Sequence, residues 1–231
     1  GVTFTMFAIT LRDMGIEVRF AASDKASDLE ALVDGRTKAI FLENIGNPAF
    51  NIPDYEPIVE MPRRKGGCVT VDNTFGMGGY LFRPFEWGAN VSIHSATKWI
   101  CGHGTALGGV VVDGGNFDWT PEKYPLLAAP SESYHGLVYK EVFGDAAFAG
   151  RVRVDGLRNI GPAASPFNSF LMLQGLETLS LRAERCCDNA LAVAEFLEKH
   201  PAVESVNYPG LKSNPYHELG CKYLRHGFGG V

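Results

Sequence analysis

Three short apolar runs, each ending on a polar or ionisable residue, restrict what this chain can fold into. Lys38–Glu43 (Lys-Ala-Ile-Phe-Leu-Glu), Cys68–Asp72 and Val91–His94 have the length and composition of buried strands. Segments of helical character separate them. Ser27-Asp28-Leu29-Glu30 has the form of a helix start, with an end near Asp34-Gly35. Pro57–Lys65 predicts a weak helix and Phe82–Gly88 a short one. Strands that alternate with helices in this way indicate an α/β fold around a largely parallel sheet. In such sheets, reactive groups gather just past the carboxyl ends of the strands. Glu43, Asn47, Asp72, Ser95, Thr97 and Lys98 all fall there.

The flanking sequence is less regular. Phe4, Phe7, Ala8, Leu11 and Met14 follow helical spacing and predict a helix over Val2–Met14, followed by a strand at Ile16–Phe20. Gly108–Asp113 reads as a further strand. The stretch 118–162, rich in Pro, Gly, Tyr and Ser, is expected to be an insertion or lid. Ser165-Pro166 offers an N-cap followed by proline, and the sequence stays helix-compatible to Lys199, where Pro201 stops it. A helix of that length would bridge two domains, 1–164 and 165–231, with Val203–Tyr208 as the first strand of a smaller α/β domain. Gly1 provides almost no lead-in, and Phe228-Gly229-Gly230-Val231 stops at what reads as a strand entrance, so an internal piece of a longer protein is expected.

Composition narrows the functional classes. With 45% hydrophobic and 20% charged residues among 231, the chain has the make-up of a globular domain with a sizeable core. Its net charge of −5 argues against a nucleic-acid or anionic-membrane partner. No apolar run is long enough to span a bilayer, for which about 18 residues would be needed. Five cysteines, thinly spread, fit a reducing compartment and hence the cytoplasm. The histidines show no zinc-type spacing, so no metal is expected.

The chemistry concentrates in Ser95-Ala96-Thr97-Lys98, downstream of Asp72. A lysine can form a Schiff base, two hydroxyls can hold a phosphate, and a carboxylate can keep a ring nitrogen protonated. Pyridoxal phosphate needs those three services from a protein. Each residue has a plainer reading as well. Lys98 would be a surface lysine, Ser95 and Thr97 turn hydroxyls, Asp72 a cap and Asn47 a turn residue. The apolar neighbours of Lys98 suggest partial desolvation, which favours amine chemistry. Gly76-Met77-Gly78-Gly79 and Gly102–Gly109 lack the endings of nucleotide-binding loops. They are read as places where backbone passes close to a cofactor or subunit. His94 is read as a structural histidine.

Five segments carry a family resemblance over nearly the whole length: Glu43-Asn44-Ile45-Gly46-Asn47-Pro48, Val71-Asp72-Asn73-Thr74-Phe75, His94-Ser95-Ala96-Thr97-Lys98-Trp99, Gly102-His103-Gly104 and Leu173–Leu179. Together they resemble the Cys/Met-metabolism family of pyridoxal-phosphate enzymes, of fold type I. Within it, Gly78-Gly79-Tyr80 and the run from Gln174 to Arg182 are most similar to the O-acetylhomoserine sulfhydrylases.

The resemblance implies a Schiff base at Lys98 and a bond from Asp72 to the pyridinium. It further implies phosphate ligands at Ser95 and Thr97 and a contact from Asn47 to the 3′-oxygen. A homotetramer built from dimers is implied, with phosphate ligands donated across the dimer interface. Those ligands and the ring-stacking aromatic would precede Gly1, and the arginine for the substrate carboxylate would follow Val231. The implied reaction is γ-replacement on O-acetyl-L-homoserine, with sulfide giving homocysteine. Asn44, Cys101 and Ala106 depart from the sulfhydrylase pattern around the cofactor loops. They leave open an amine or carbon nucleophile, as in the fungal loline and fusaric acid pathways, or γ-lyase chemistry on cystathionine or methionine. A non-catalytic partner subunit is the alternative outside enzymology.

Overall fold

The computed structural model describes residues 2–65 and 67–231, so Gly1 and Gly66 lie outside the described residues. Four strands form one sheet in the order β1 (Ala39–Glu43), β2 (Cys68–Asp72), β3 (Val91–Ser95), β4 (Gly109–Asp113). The pairs β1–β2 and β2–β3 are parallel, and β4 returns antiparallel along β3. The three apolar runs are therefore neighbours, and their polar ends lie at one edge of the sheet.

Side chains alternate between the two faces of a strand, and here the two faces bury different partners. Ile40, Leu42, Val69 and Val71 turn to one face, where they form the main core with Tyr55, Ile58 and Val59 of the helix Tyr55–Lys65. Cys68, Val91 and Ile93 turn to the other. They meet Trp119, Leu127, Tyr139 and Ala147 from the stretch expected to be an insertion or lid. That stretch holds short helices at Pro125–Ala128, Tyr139–Phe143 and Ala147–Arg151. Its buried residues pack on Cys68 and Val91, which begin their strands, and so at the end of the sheet away from Asp72 and Ser95. Aromatic residues placed there by a Pro- and Gly-rich sequence serve as a second core.

Helical backbone runs from Val2 to Asp13, with a π-turn at Met6–Thr10 between the α-helical pieces Val2–Thr5 and Leu11–Asp13. It lies against β1 through Phe7, whose ring centroid is 4.7 Å from that of Phe41. Three sequence expectations need correction. Residues 16–20 form no strand: Phe20 instead meets Phe4, with ring centroids 5.0 Å apart, and among the described residues the segment has no ladder partner. Residues 203–208 likewise form no strand. Tyr208 is buried beside Ala194 and Leu211, and its hydroxyl donates to the Gly229 carbonyl at 2.8 Å.

The long helix is two helices, Pro166–Glu177 and Leu179–Glu198, broken at Thr178 with φ −109° and ψ 5°. The break sets Gly175 against the loop after Lys98 and lets Leu179 enter a small core with Ala96 and Ile100.

Candidate active site

Register decides which groups meet. Glu43 pairs with Asp72 across β1–β2, and Asp72 with Ile93 across β2–β3. Ser95, two residues beyond Ile93, therefore shares Asp72's face and projects past the strand end. After it the chain turns at once: Lys98 N–H donates to the Ser95 carbonyl at 3.1 Å, and Gly102 N–H to the Lys98 carbonyl at 2.7 Å. The turn returns Lys98 to the mouth of the sheet. There a cavity of about 410 Å³ is lined by Asn47, Asp72, Ser95 and Lys98 together with Glu43, Thr74 and Trp99. Thr3, from the N-terminal helical segment, and Val231 also reach it. Lys98 and Trp99 also line a shallower hollow of about 550 Å³ shared with Arg182, Arg185 and Cys186.

Four of the five residues singled out in the sequence thus share one cavity. Thr97 does not line it. Its hydroxyl is engaged by the main chain of Gly108, accepting the N–H at 3.1 Å and donating to the carbonyl at 3.3 Å. Lys98 is exposed, contrary to the desolvation expected from its neighbours. Ala96 and Ile100 turn into the core beside Leu179, and the turn puts Lys98 on the opposite side.

Asp72 is held firmly. One carboxylate oxygen, Oδ1, accepts the Thr74 hydroxyl at 2.6 Å and the Thr74 N–H at 2.9 Å. Glu43 is half-buried beside it. Burial raises the Glu43 pKa, and the neighbouring Asp72 charge adds to this, while the Asn47 N–H at 3.1 Å from Oε2 opposes it. His94 lies on the other face of β3, its Nε2 3.1 Å from the Ser92 hydroxyl. Burial lowers its pKa against the pull of Asp72, in keeping with a structural histidine.

Sequence reading missed Thr74 and Trp99 as cavity residues. For Thr74 a signal exists, since Asp-x-Thr at a strand end is a common local hydrogen-bonding pattern. Thr3 and Val231 come from opposite ends of the chain, and no local pattern announces them.

Comparison with known proteins gives the family. The model of the Cys/Met metabolism PLP-dependent enzymes matches residues 1–231. The chain belongs to this family. A homocysteine/cysteine synthase of Kluyveromyces lactis is 53% identical over 233 residues, covering 100% of this chain and 52% of that protein. An O-acetyl-L-homoserine sulfhydrylase of Thermus thermophilus is 50% identical, covering 97% of this chain and 54% of its own length. The crystal structure of a Campylobacter jejuni protein described as an O-acetylhomoserine (thiol)-lyase contains a pyridoxyl-lysine-5′-monophosphate. It superposes with a TM-score of 0.94 at 38% identity, over 99% of this chain and 57% of that one. The chain spans about half the length of the curated relatives it matches.

Proposed function

We propose that the protein containing this chain is a pyridoxal-phosphate-dependent transferase that performs γ-replacement on O-acetyl-L-homoserine, with sulfide giving homocysteine. The carrying observation is the single cavity where Lys98, Asp72 and Ser95 converge. The identity to homocysteine synthases over the whole chain supports the same reading. The residues suit the cofactor. An exposed amine, a carboxylate fixed through one oxygen and a hydroxyl at the end of the adjacent strand match the three groups that pyridoxal phosphate requires.

Lys98 Nζ would attach the cofactor, and Asp72 would accept the ring N–H. Ser95 and Thr97 would donate to the phosphate, Thr97 by turning its hydroxyl proton from the Gly108 carbonyl, and the Asn47 amide would meet the 3′-oxygen. When bound, the cofactor supplies an electron sink for negative charge at the substrate's α- and β-carbons. Once the substrate's own amino group has taken its place, the freed Lys98 Nζ would be the mobile base: it would remove the proton at the α-carbon and carry a second at the β-carbon, so that acetate leaves the γ-carbon and sulfide adds there. Asp72 would hold the ring N–H through this sequence, with its Oδ1 bonded to Thr74.

We also propose a homotetramer in the cytoplasm, in keeping with five free thiols. A division into a cofactor domain, 1–164, and a following unit, 165–231, is part of the same reading. The deciding experiment gives the full-length protein O-acetyl-L-homoserine with a mixture of sulfide, cysteine and proline, and identifies products by mass. Homocysteine is expected. A carbon- or nitrogen-linked aminobutyrate would leave the cofactor reading intact and change the nucleophile. Failure of the protein to take up pyridoxal phosphate would overturn the reading altogether.

A further inference from the structure

Thr74 makes three hydrogen bonds, two of them local and one reaching the adjacent strand. Its hydroxyl proton goes to Asp72 Oδ1 at 2.6 Å, its N–H to the same oxygen at 2.9 Å, and its hydroxyl oxygen accepts the Ser95 N–H at 2.9 Å. A threonine hydroxyl has one proton to give and lone pairs to receive, so its donor and one acceptor direction are both committed. The Ser95 bond reaches from the turn after β2 to the last residue of β3, immediately before the Ala96–Lys98 turn.

The turn carrying Thr74 is itself anchored. Asn73 N–H donates to the Ile93 carbonyl at 2.7 Å, and its side-chain amide to the Phe82 carbonyl at 3.0 Å. Thr74 also lines the cavity. Among the described residues, Asp72 Oδ2 has no hydrogen-bond donor, so the carboxylate is fixed through one oxygen and presents the other.

We infer that Thr74 is a positioning residue for the cofactor: its hydroxyl sets the plane of the Asp72 carboxylate and locks that carboxylate to the Ser95–Lys98 turn. The inference rests on the reading that this cavity holds pyridoxal phosphate. Cofactor-ring and phosphate groups then bind at the ends of two paired strands that the Thr74 hydroxyl ties together beyond their ladder. Without that hydroxyl the carboxylate keeps only the Thr74 N–H as a donor, and the Ser95 N–H loses its partner. Valine has the shape of threonine with neither the donor nor the acceptor, while serine keeps both.

The test is titration of the cofactor-free full-length protein with pyridoxal phosphate, followed by visible absorbance, in wild type, Thr74→Val, Thr74→Ser and both backgrounds of Asp72→Ala. Residues that orient the ligands of a bound metal contribute about 10–100-fold to its affinity, and Thr74 stands in the same relation to Asp72. Thr74→Val is therefore expected to weaken binding by about tenfold or more, and Thr74→Ser by no more than about threefold. In the Asp72→Ala background the Thr74→Val cost shrinks to about threefold or less, because the partner through which most of it acts is gone. Melting midpoints of the cofactor-free forms are compared alongside; if the valine form does not fold, Thr74→Ala replaces it with the same expectations. Wild-type affinity in Thr74→Val, a serine form as weak as the valine form, or an undiminished cost without Asp72 would each overturn the inference alone. No uptake by wild type would overturn the cofactor reading and this inference with it.

Discussion

Gly175→Ala tests how closely the helix Pro166–Glu177 governs the lysine turn. A Cβ at Gly175 would lie 2.2 Å from the Cys101 carbonyl oxygen and 2.3 Å from that of Ile100. Ordinary contact begins at 3.4 Å, so the helix and the loop must separate by about 1.2 Å (3.4 − 2.2). Both oxygens belong to the main chain, and no change of rotamer relieves the clash. Arg182 opposes the separation as well, because its Nη2 donates to the Trp99 carbonyl at 3.1 Å and to the Gly175 carbonyl at 2.7 Å.

Alanine gains about 0.5–1 kcal/mol over glycine inside a helix, whereas overpacking costs about 1–3 kcal/mol. Strain on the Arg182 bridge comes on top, giving a net loss of about 1–3 kcal/mol. The displaced loop begins two residues after Lys98, and a shift of about 1 Å at a reacting group can cost on the order of 100-fold in rate. The assay pairs the urea midpoint of the full-length protein with its pyridoxal phosphate affinity. Gly156→Ala serves as control: only Val152 Cγ1, at 3.9 Å, meets its Cβ, so it should be neutral or gain about 0.5–1 kcal/mol. A Gly175→Ala protein as stable as wild type, with unchanged cofactor affinity, would refute the reasoning.

Other perturbations probe separate parts of the molecule. Lys98→Ala should abolish the visible absorbance of the bound cofactor and turnover together, and a variant retaining both would remove Lys98 from its assigned role. Arg182→Met should lower the urea midpoint, with a loss of about 1–3 kcal/mol, because the Trp99 and Gly175 carbonyls lose a charged donor. In native thiol labelling followed by peptide mapping, exposed Cys221 should react first. Buried Cys68, whose pKa desolvation pushes up to about 12, and buried Cys187 should lag until unfolding. Asp34 should titrate in NMR at about 2, held down by the Arg19 guanidinium and the Arg36 N–H. Its folded pKa lies below the unfolded one, so its contribution to stability is present above the ordinary carboxylate range and is lost as pH falls toward about 2.

The sheet was legible because its strands are short, apolar and bounded, and because register follows once parallel neighbours are assumed. Asp72 and Ser95 meet for that reason alone. What escaped sequence reading was set by partners distant in the chain. Residues 16–20 and 203–208 have strand-like composition, yet a strand exists only where another lies beside it, and these pack through Phe20 and Tyr208 instead. The break at Thr178 has no proline to announce it. It lies between Gly175, which meets the Ile100 and Cys101 carbonyls, and Leu179, which packs on Ala96 and Ile100, contacts that only the folded chain supplies.

The same contrast explains the lysine. Local sequence surrounds Lys98 with Ala96, Trp99 and Ile100, which suggested a desolvated amine. One turn of helix-like backbone separates neighbours that a linear reading groups together, sending Ala96 and Ile100 to the Leu179 core and Lys98 outward. Lys98 is exposed at the edge of the cavity, and among the described residues its amine has no hydrogen-bond or ion-pair partner. Its alignment must then come from what it bonds and from the groups that fix that partner. Among the described residues, the most rigid of these is the Asp72–Thr74–Ser95 link, with every bond at or below 2.9 Å. Precision at this site therefore resides in the strand ends, and mobility in the lysine, a division suited to a base that must serve two carbons in turn.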